Sequence, residues 1–133
     1  MTRYVIDAPT LLYIVANDIQ PSPHHQIVAP NLIRSQALSL LFEAVRKGDL
    51  TEDLAFLHHQ HLTELKMRLL GDRVSRRTAW RIAREQGWET MYDAEYLAVT
   101  ELQADALVTV NPELAVKARG VVPLANVDAL TAT

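Results

Sequence analysis

The chain has 133 residues, of which 49% are hydrophobic and 22% are charged, and its formal net charge is −3 at pH 7. This length predicts one domain, residues 1–133, and apolar residues spread along the whole chain exclude a disordered protein. No apolar run approaches the roughly 20 residues of a membrane helix, and we expect neither a secretory leader nor a membrane partner. The absence of cysteine excludes disulfides and thiolate chemistry, as is typical of a cytoplasmic protein.

Short apolar runs and longer helical patterns alternate along the first half of the chain. The run Tyr4–Ile6 is too short for a helix and is typical of a central parallel strand. Pro30 is expected to open a helix, since proline is tolerated in the first helical turn. The elements predicted in this half are strands at Tyr4–Ile6 and Ile27–Ala29, and helices at Ala8–Asn17, Pro30–Gly48 and Thr51–Leu70.

The second half of the chain continues this alternation. Its predicted helices are Ser75–Gln86, Met91–Gln103 and Pro112–Ala118, and its predicted strands are Leu107–Val110 and Val121–Leu124. Gly87 is expected to end one helix, and Pro123 places the last strand at an edge of the sheet. We expect Leu130–Thr133 to fray. Strands that alternate with helices predict a three-layer α/β/α sandwich with a mostly parallel sheet.

Polar residues follow two of the predicted strands. Asp7 ends the first strand, Asn111 follows the strand Leu107–Val110, and Asp93 lies near the start of a helix. Open α/β sheets place their chemistry in the crevice at the carboxyl ends of the strands. Oxygen ligands there suit Mg²⁺ or Mn²⁺, which can activate a water toward a phosphodiester. Taken singly, each of the three residues also fits an ordinary helix cap.

The order and spacing of these residues resemble the PIN domain, and within it the VapC-type toxin nucleases of bacterial toxin–antitoxin pairs. Asp7 in RYVIDAPTLLYIV stands at the first acid position of that family, and Asp93 in YDAEYLAV stands at the third. The resemblance spans nearly the whole chain. Two positions depart from it: Gln36 in PNLIRSQALSLL replaces the second acid, and Asn111 in LVTVNPELA replaces the fourth.

The resemblance implies a divalent-metal-dependent endoribonuclease. The implied catalytic residues are Asp7, Gln36, Asp93 and Asn111, of which Asp7, Asp93 and Asn111 hold Mg²⁺ or Mn²⁺, and Arg34 contacts the RNA. A small antitoxin protein and a second copy of the chain are the implied partners, on apolar residues of the second and third helices. Because two acids are replaced by amides, the alternative is a catalytically weak or inactive PIN-like module that binds RNA or protein.

Two further segments each admit two interpretations. The segment RVSRRTAWRIAR, residues 73–84, fits either a phosphate-binding face or a solvated face around Trp80. In LHHQHL, His58 and His61 can share a helix face, but surface histidines are favoured because a third ligand at fixed spacing is missing. The sequence contains no Walker loop, GxGxxG or GxSxG motif, which argues against NTPase, dinucleotide-binding and α/β-hydrolase functions.

Overall fold

The computed structural model describes residues 1–132 and has one parallel sheet flanked by six α-helices in this part of the chain. The strands are β1 (Thr2–Ile6), β2 (His25–Pro30), β3 (Arg68–Leu70), β4 (Ala106–Val108) and β5 (Leu124–Ala125). The helices are α1 (Ala8–Ala16), α2 (Ile33–Arg46), α3 (Glu52–Glu64), α4 (Arg73–Gln86), α5 (Tyr92–Gln103) and α6 (Pro112–Ala118), and a 3₁₀ helix covers Val127–Leu130. The predicted three-layer α/β/α architecture is confirmed.

Strand β1 lies at the centre of the sheet, whose order is β3-β2-β1-β4-β5. Tyr4 pairs with Ile27 of β2 on one side and with Ala106 of β4 on the other. All four strand pairings are parallel. Helices α1, α2 and α3 pack on one another, whereas α5 packs on α4 and on the central strands. Because helices cover both faces of a parallel sheet, β1 is apolar on both faces, and Val5 and Ile6 are fully buried.

Several helices begin and end where side chains or glycine satisfy the free backbone groups. The side chains of Asp7, Thr51 and Asp72 accept hydrogen bonds from the first turns of α1, α3 and α4. Helix α4 ends at Gly87, which adopts a left-handed conformation with φ of 72°. The predicted end of this helix at Gly87 is therefore confirmed. No helix among the described residues is long and apolar enough to cross a membrane.

Pro30 does not open helix α2, as the sequence had suggested; it is the last residue of strand β2 and is paired with Leu70 of β3. The backbone N–H of Asn31 then donates to the carbonyl oxygen of Leu70, 3.0 Å away, so that the pairing continues past the proline. Helix α2 begins only at Ile33. The strand is extended by a neighbour, β3, that sequence analysis did not predict.

The predicted helix Thr51–Leu70 is too long. Helix α3 ends at Glu64, Leu65 is extended, and Arg68–Leu70 forms the edge strand β3. Leucines at 62, 65 and 69 fit a helical spacing equally well, so pairing with β2 decides the conformation. The expected fraying of the C-terminus is also wrong for Leu130, which is fully buried; Thr133 lies outside the described residues.

Two adjacent leucines allow a direct test of where the core lies. Leu107 on β4 is fully buried, whereas its register partner Leu124 on β5 is 38% exposed. We expect Leu107→Ala to lower the free energy of unfolding by about 2–5 kcal/mol, because the buried leucine leaves a cavity. Leu124→Ala should cost far less. Urea denaturation of both variants tests this expectation, and equal losses would contradict the burial of β4.

Candidate functional site

The carboxyl ends of β1 and β4 lie side by side at the centre of one edge of the sheet. Ile6 pairs with Val108, which places the following residues, Asp7 and Thr109, next to each other. The chain passes from β1 to β2 on one side, and β4 occupies the other side. The strand order reverses at this point, which is where open α/β sheets form a crevice for their ligands.

Asp7 is the buried centre of this crevice, with only 3% of its surface exposed. Its Oδ1 accepts hydrogen bonds from the backbone N–H of Thr10, 3.3 Å away, and from the Thr10 hydroxyl. Its Oδ2 accepts a hydrogen bond of 2.8 Å from the hydroxyl of Thr109. The carboxylate thus caps α1 and also ties the end of β1 to the segment that follows β4.

The two threonines extend this cluster to the next residues of the chain. The backbone N–H of Val110 donates to the Thr10 hydroxyl oxygen, and that of Asn111 donates to the Thr109 hydroxyl oxygen, both at 3.0 Å. Each hydroxyl therefore donates to Asp7 and accepts from the backbone. The position of Asn111 relative to Asp7 is set by these bonds.

Burial raises the pKa of the Asp7 carboxyl above its usual value of 3.8, although the hydrogen bonds from Thr10 and Thr109 oppose the shift. Within residues 1–132, no lysine, arginine or histidine forms an ion pair with Asp7. The crevice therefore holds a desolvated carboxylate stabilised by hydroxyl dipoles and the start of a helix, without a protein cation beside it.

Gln36 and Tyr96 bring α2 and α5 to the same site. The phenol of Tyr96, a residue 2% exposed, donates a hydrogen bond to Gln36 Oε1. Burial raises the pKa of Tyr96 far above its usual range, and the negative charges of Asp7, Asp93 and Glu95 raise it further. Tyr96 is thus a neutral donor placed among acids, and it links Gln36 to them.

Asp93 lies on the open side of the crevice and forms an ion pair. Lys117 on α6 donates from Nζ to Asp93 Oδ2 at 2.9 Å, and both side chains are about two-fifths exposed. The same ammonium lies 4.9 Å from the centre of the Trp88 ring, a distance typical of a cation–π contact. Asp93 therefore has a protein cation beside it, in contrast to Asp7.

The structure places the other two predicted residues differently. Asn111 is half-buried, and its Oδ1 accepts a hydrogen bond of 3.1 Å from the backbone N–H of Glu113, so that it caps α6. Arg34 is exposed on the first turn of α2 and forms no hydrogen bond or ion pair with the site residues in the described part of the chain. Four of the five predicted residues, Asp7, Gln36, Asp93 and Asn111, thus adjoin one crevice.

The residues that link these four were not predicted from the sequence. Tyr96 lies three residues after Asp93 on the same helix face, a spacing that was available as a signal. Thr10 lies at the position where a cap residue receives its hydrogen bond, which was a second signal. Lys117 had none, because it reaches Asp93 from a different helix.

Clusters of classical metal ligands are missing from the part of the chain that the structure describes. No group of three or more His, Cys, Asp or Glu side chains is close enough to hold an ion there. This excludes a three-ligand histidine site around His58 and His61 among those residues. The predicted ligand set of the crevice therefore has two carboxylates, Asp7 and Asp93, and an amide oxygen of Asn111.

The comparisons with known proteins come from structure rather than sequence. No protein-family model matches the chain, and no curated protein matches it significantly. PAE2754 from Pyrobaculum aerophilum has a similar crystal structure, with 27% sequence identity, a TM-score of 0.74, and coverage of 97% of this chain and 93% of that one. VapBC-1 from nontypeable Haemophilus influenzae has a TM-score of 0.59 at 15% identity, covering 93% of this chain and 97% of that one. The fold is PIN-like.

The raised pKa of Asp7 gives a pH-dependent stability. Because the pKa is higher in the folded than in the unfolded chain, ionisation destabilises the fold as the pH rises above 3.8. In metal-free buffer, we expect Asp7→Asn to unfold at a higher temperature than the natural chain at pH 7. This advantage should shrink as the pH falls toward about 4.

Asp93→Asn is the matched control, because the Asp93 side chain is about two-fifths exposed and paired with Lys117. We expect it to change the free energy of unfolding by at most about 1 kcal/mol at pH 7, without a gain. Thermal unfolding at a series of pH values measures both variants. If Asp7→Asn is less stable than the natural chain at pH 7, the threonine hydrogen bonds outweigh the cost of burial.

Proposed function

We propose that the chain is a divalent-metal-dependent endoribonuclease that resembles the toxin of a type II toxin–antitoxin pair. One observation carries the proposal: the buried carboxylate of Asp7 lies at the strand-order reversal without an ion pair in the described residues, and the charges of Asp7 and Asp93 both act on Tyr96. A buried charge normally has a partner of opposite sign or a metal ion. A PIN-like fold with this donor set supports hydrolysis of a phosphodiester.

The donor set fits a magnesium or manganese ion of the sparsely ligated kind. A carboxylate has about four acceptor positions, and Asp7 uses three of them for hydrogen bonds. Mg²⁺ is often held by only one or two carboxylates, with waters and substrate phosphates as further ligands. Asp7, Asp93 and the amide oxygen of Asn111 would hold the ion, which would supply an activated water and neutralise charge on the phosphate.

The other residues of the crevice would position these ligands and the substrate. Tyr96 holds the amide of Gln36 in a fixed orientation, so that the side-chain N–H groups of Gln36, which make no hydrogen bond within residues 1–132, can donate to a water or a phosphate oxygen. Lys117 carries its ammonium beside Asp93 on a flexible four-carbon stem, so that it could turn to a phosphate of the RNA when the substrate binds. Arg34, exposed one half-turn before Gln36, would contact the backbone of the RNA.

Exposed apolar side chains on α2 and α3 support protein partners. Phe42 is 64% exposed, Phe56 is 61% exposed, and Leu38 and Leu57 are 45% exposed. Leu38 and Phe42 lie one turn apart on the same side of α2. Exposed apolar patches are typical of protein interfaces. Together with the structural likeness to VapBC-1, it supports an antitoxin and a second copy of the chain as partners.

A second function, a PIN-like module that binds RNA or protein without cleaving it, is favoured by a separate observation. The ammonium of Lys117 lies 2.9 Å from Asp93, where it competes with a metal ion for that carboxylate. With amides at Gln36 and Asn111, such a site is close to electrical balance without any metal. The two functions differ in whether metal binding and cleavage occur.

Cleavage of structured RNA, including tRNA, by the purified chain tests the proposal. We expect cleavage with Mn²⁺ or Mg²⁺ and none with EDTA. Asp93→Asn should lower the rate by more than the about 100-fold that loss of an outer-shell partner typically costs. Glu43→Gln is the matched control, because it removes an exposed carboxylate from α2 outside the crevice, and its rate should equal that of the natural chain.

A second arm of this experiment restores acids at the two positions where the natural chain has amides. If the natural chain is inactive but the double variant Gln36→Glu, Asn111→Asp cleaves RNA, the two amides have silenced a nuclease site and the binding module is the function. If neither protein cleaves any RNA, the proposal of a nuclease is wrong. Antitoxin must be removed from the preparations before either conclusion is drawn.

The variant Lys117→Gln tests whether Lys117 competes with a metal ion for Asp93 or stabilises the site. Loss of an exposed ion pair should change the unfolding free energy by at most about 1 kcal/mol. The rise in melting temperature on adding Mn²⁺ should be larger in Lys117→Gln than in the natural chain, because Asp93 is then free. A ligand at 100 times its dissociation constant stabilises by about 2.7 kcal/mol, which thermal unfolding detects easily.

The control for this comparison is Lys47→Gln, an exposed lysine at the end of α2. Asp7→Asn should abolish the rise caused by Mn²⁺, whatever its stability in metal-free buffer. Absence of any Mn²⁺ effect in both the natural chain and Lys117→Gln would contradict a metal site and favour the binding module.

A further inference from the structure

Helix α4 carries a basic and aromatic surface outside the acid crevice. The helix buries Ser75, Ala79, Ile82 and Ala83 against the rest of the protein. The residues on the opposite side are Arg73, Arg76, Arg77, Trp80, Arg81 and Arg84, which we name the α4 surface. All lie within about 80° of one direction around a helix of 3.6 residues per turn. Five arginines and one tryptophan therefore dominate the outward side of α4, which also includes exposed Val74.

The charge of the α4 surface contrasts with that of the whole chain. Five of the 13 lysines and arginines lie in residues 73–84, which contain no acid, although the net charge of the chain is −3. Arg81 is neutralised by Glu85 at 3.2 Å and Glu101 at 2.9 Å. Within the described residues, the other four arginines of the surface form no ion pair. The surface is thus a local site of positive potential.

Trp80 lies among these cations and is 63% exposed. Arg77 and Arg84 flank it at three and four residues along the helix, so that both are its neighbours on the same side. Val74, 59% exposed, Thr78 and Met91 complete the lining of a shallow depression of about 920 Å³ around the indole. Exposed aromatic rings within a cationic groove are the combination that binds single-stranded nucleic acid, by base stacking and phosphate neutralisation.

The α4 surface extends toward the crevice. Met91, at one end of the depression, lies two residues before Asp93 at the start of α5. On the next turn, burial raises the pKa of Glu95 and the charge of Arg76 opposes the shift, so that Arg76 is close to α5. A nucleic-acid strand bound along α4 would therefore reach the open side of the crevice.

We propose that the α4 surface binds single-stranded RNA, with a base stacked on Trp80 and phosphates neutralised by Arg73, Arg77 and Arg84. The inference rests on the proposed function for RNA as the ligand. A second copy of the chain fits the surface poorly, because a symmetric contact would place five arginines against five. An open, cationic aromatic face instead suits a flexible polyanion, which it would lead toward Asp93.

Binding of a fluorescein-labelled single-stranded oligoribonucleotide of about 12 nucleotides, followed by fluorescence anisotropy in EDTA, tests the inference. Trp80→Ala should weaken binding about 5- to 150-fold, the loss typical of one base–aromatic stack. The double variant Arg77→Gln, Arg84→Gln should lower the slope of log affinity against log salt by about 1.4, as expected for two phosphate contacts with a single strand.

Matched controls come from the other side of the molecule. Tyr13→Ala removes an exposed aromatic ring from α1, and Arg46→Gln removes an exposed arginine from α2. Both should bind the oligonucleotide like the natural chain. Equal affinity of Trp80→Ala and the natural chain, or no binding by the natural chain, would overturn the inference. A dimer that Trp80→Ala converts to a monomer, without a change in RNA affinity, would instead assign the surface to protein association.

The use of EDTA separates this inference from the proposed function. If the natural chain binds RNA through Trp80 but never cleaves it, the result supports RNA binding by the α4 surface and contradicts the nuclease function. If the natural chain cleaves RNA with metal, and Trp80→Ala changes neither cleavage nor binding, the result supports the nuclease function and contradicts RNA binding by the α4 surface.

Discussion

The carboxylate of Asp7, buried and held by two threonine hydroxyls, is the interaction on which the crevice depends. It caps α1 through Thr10 and contacts the segment after β4 through Thr109. The same two hydroxyls accept hydrogen bonds from the backbone N–H groups of Val110 and Asn111, and these bonds fix the positions of both residues. Without this cluster, the ends of β1 and β4 would be paired by the sheet but the residues beyond them would be free. A charge in a poorly solvated position thus aligns the elements that surround it, at some expense of stability.

The electrostatics of the crevice differ from those of a site with four acids. Four carboxylates repel one another in the absence of metal, and the fold must tolerate that repulsion. Here Gln36 and Asn111 carry no charge, Tyr96 is held neutral by burial and by its acidic neighbours, and Lys117 offsets Asp93. The result is a site in which only Asp7 lacks a partner of opposite charge among the described residues. The free energy of binding a cation is therefore less favourable here than in a four-acid site. Within the crevice, the largest contribution to binding comes from the buried carboxylate of Asp7.

Local sequence signals predicted much of the fold, because caps, glycines and strand-length apolar runs act over a few residues. The start of α1 after Asp7 and the end of α4 at Gly87 are examples. Strand β3 was not predicted, since its conformation is decided by pairing with β2, some 40 residues earlier in the chain. For the site, the sequence indicated residues that the structure brings to one crevice. The partners Tyr96 and Lys117 contact Gln36 and Asp93 at separations of 60 and 24 residues, beyond any local pattern.

The position of β1 at the centre of the sheet has a consequence for the order in which the protein is made. Asp7 and Thr109 are separated by 102 residues, and Thr10 and Val110 by 100. Synthesis at about 5–20 residues per second separates them by roughly 5 to 20 seconds. During these seconds β1 cannot pair with β4, because β4 has not yet been synthesised. The carboxylate of Asp7 therefore stays hydrated until then. Whatever chemistry the crevice performs begins only after most of the chain has been translated, so a nascent fragment lacks it.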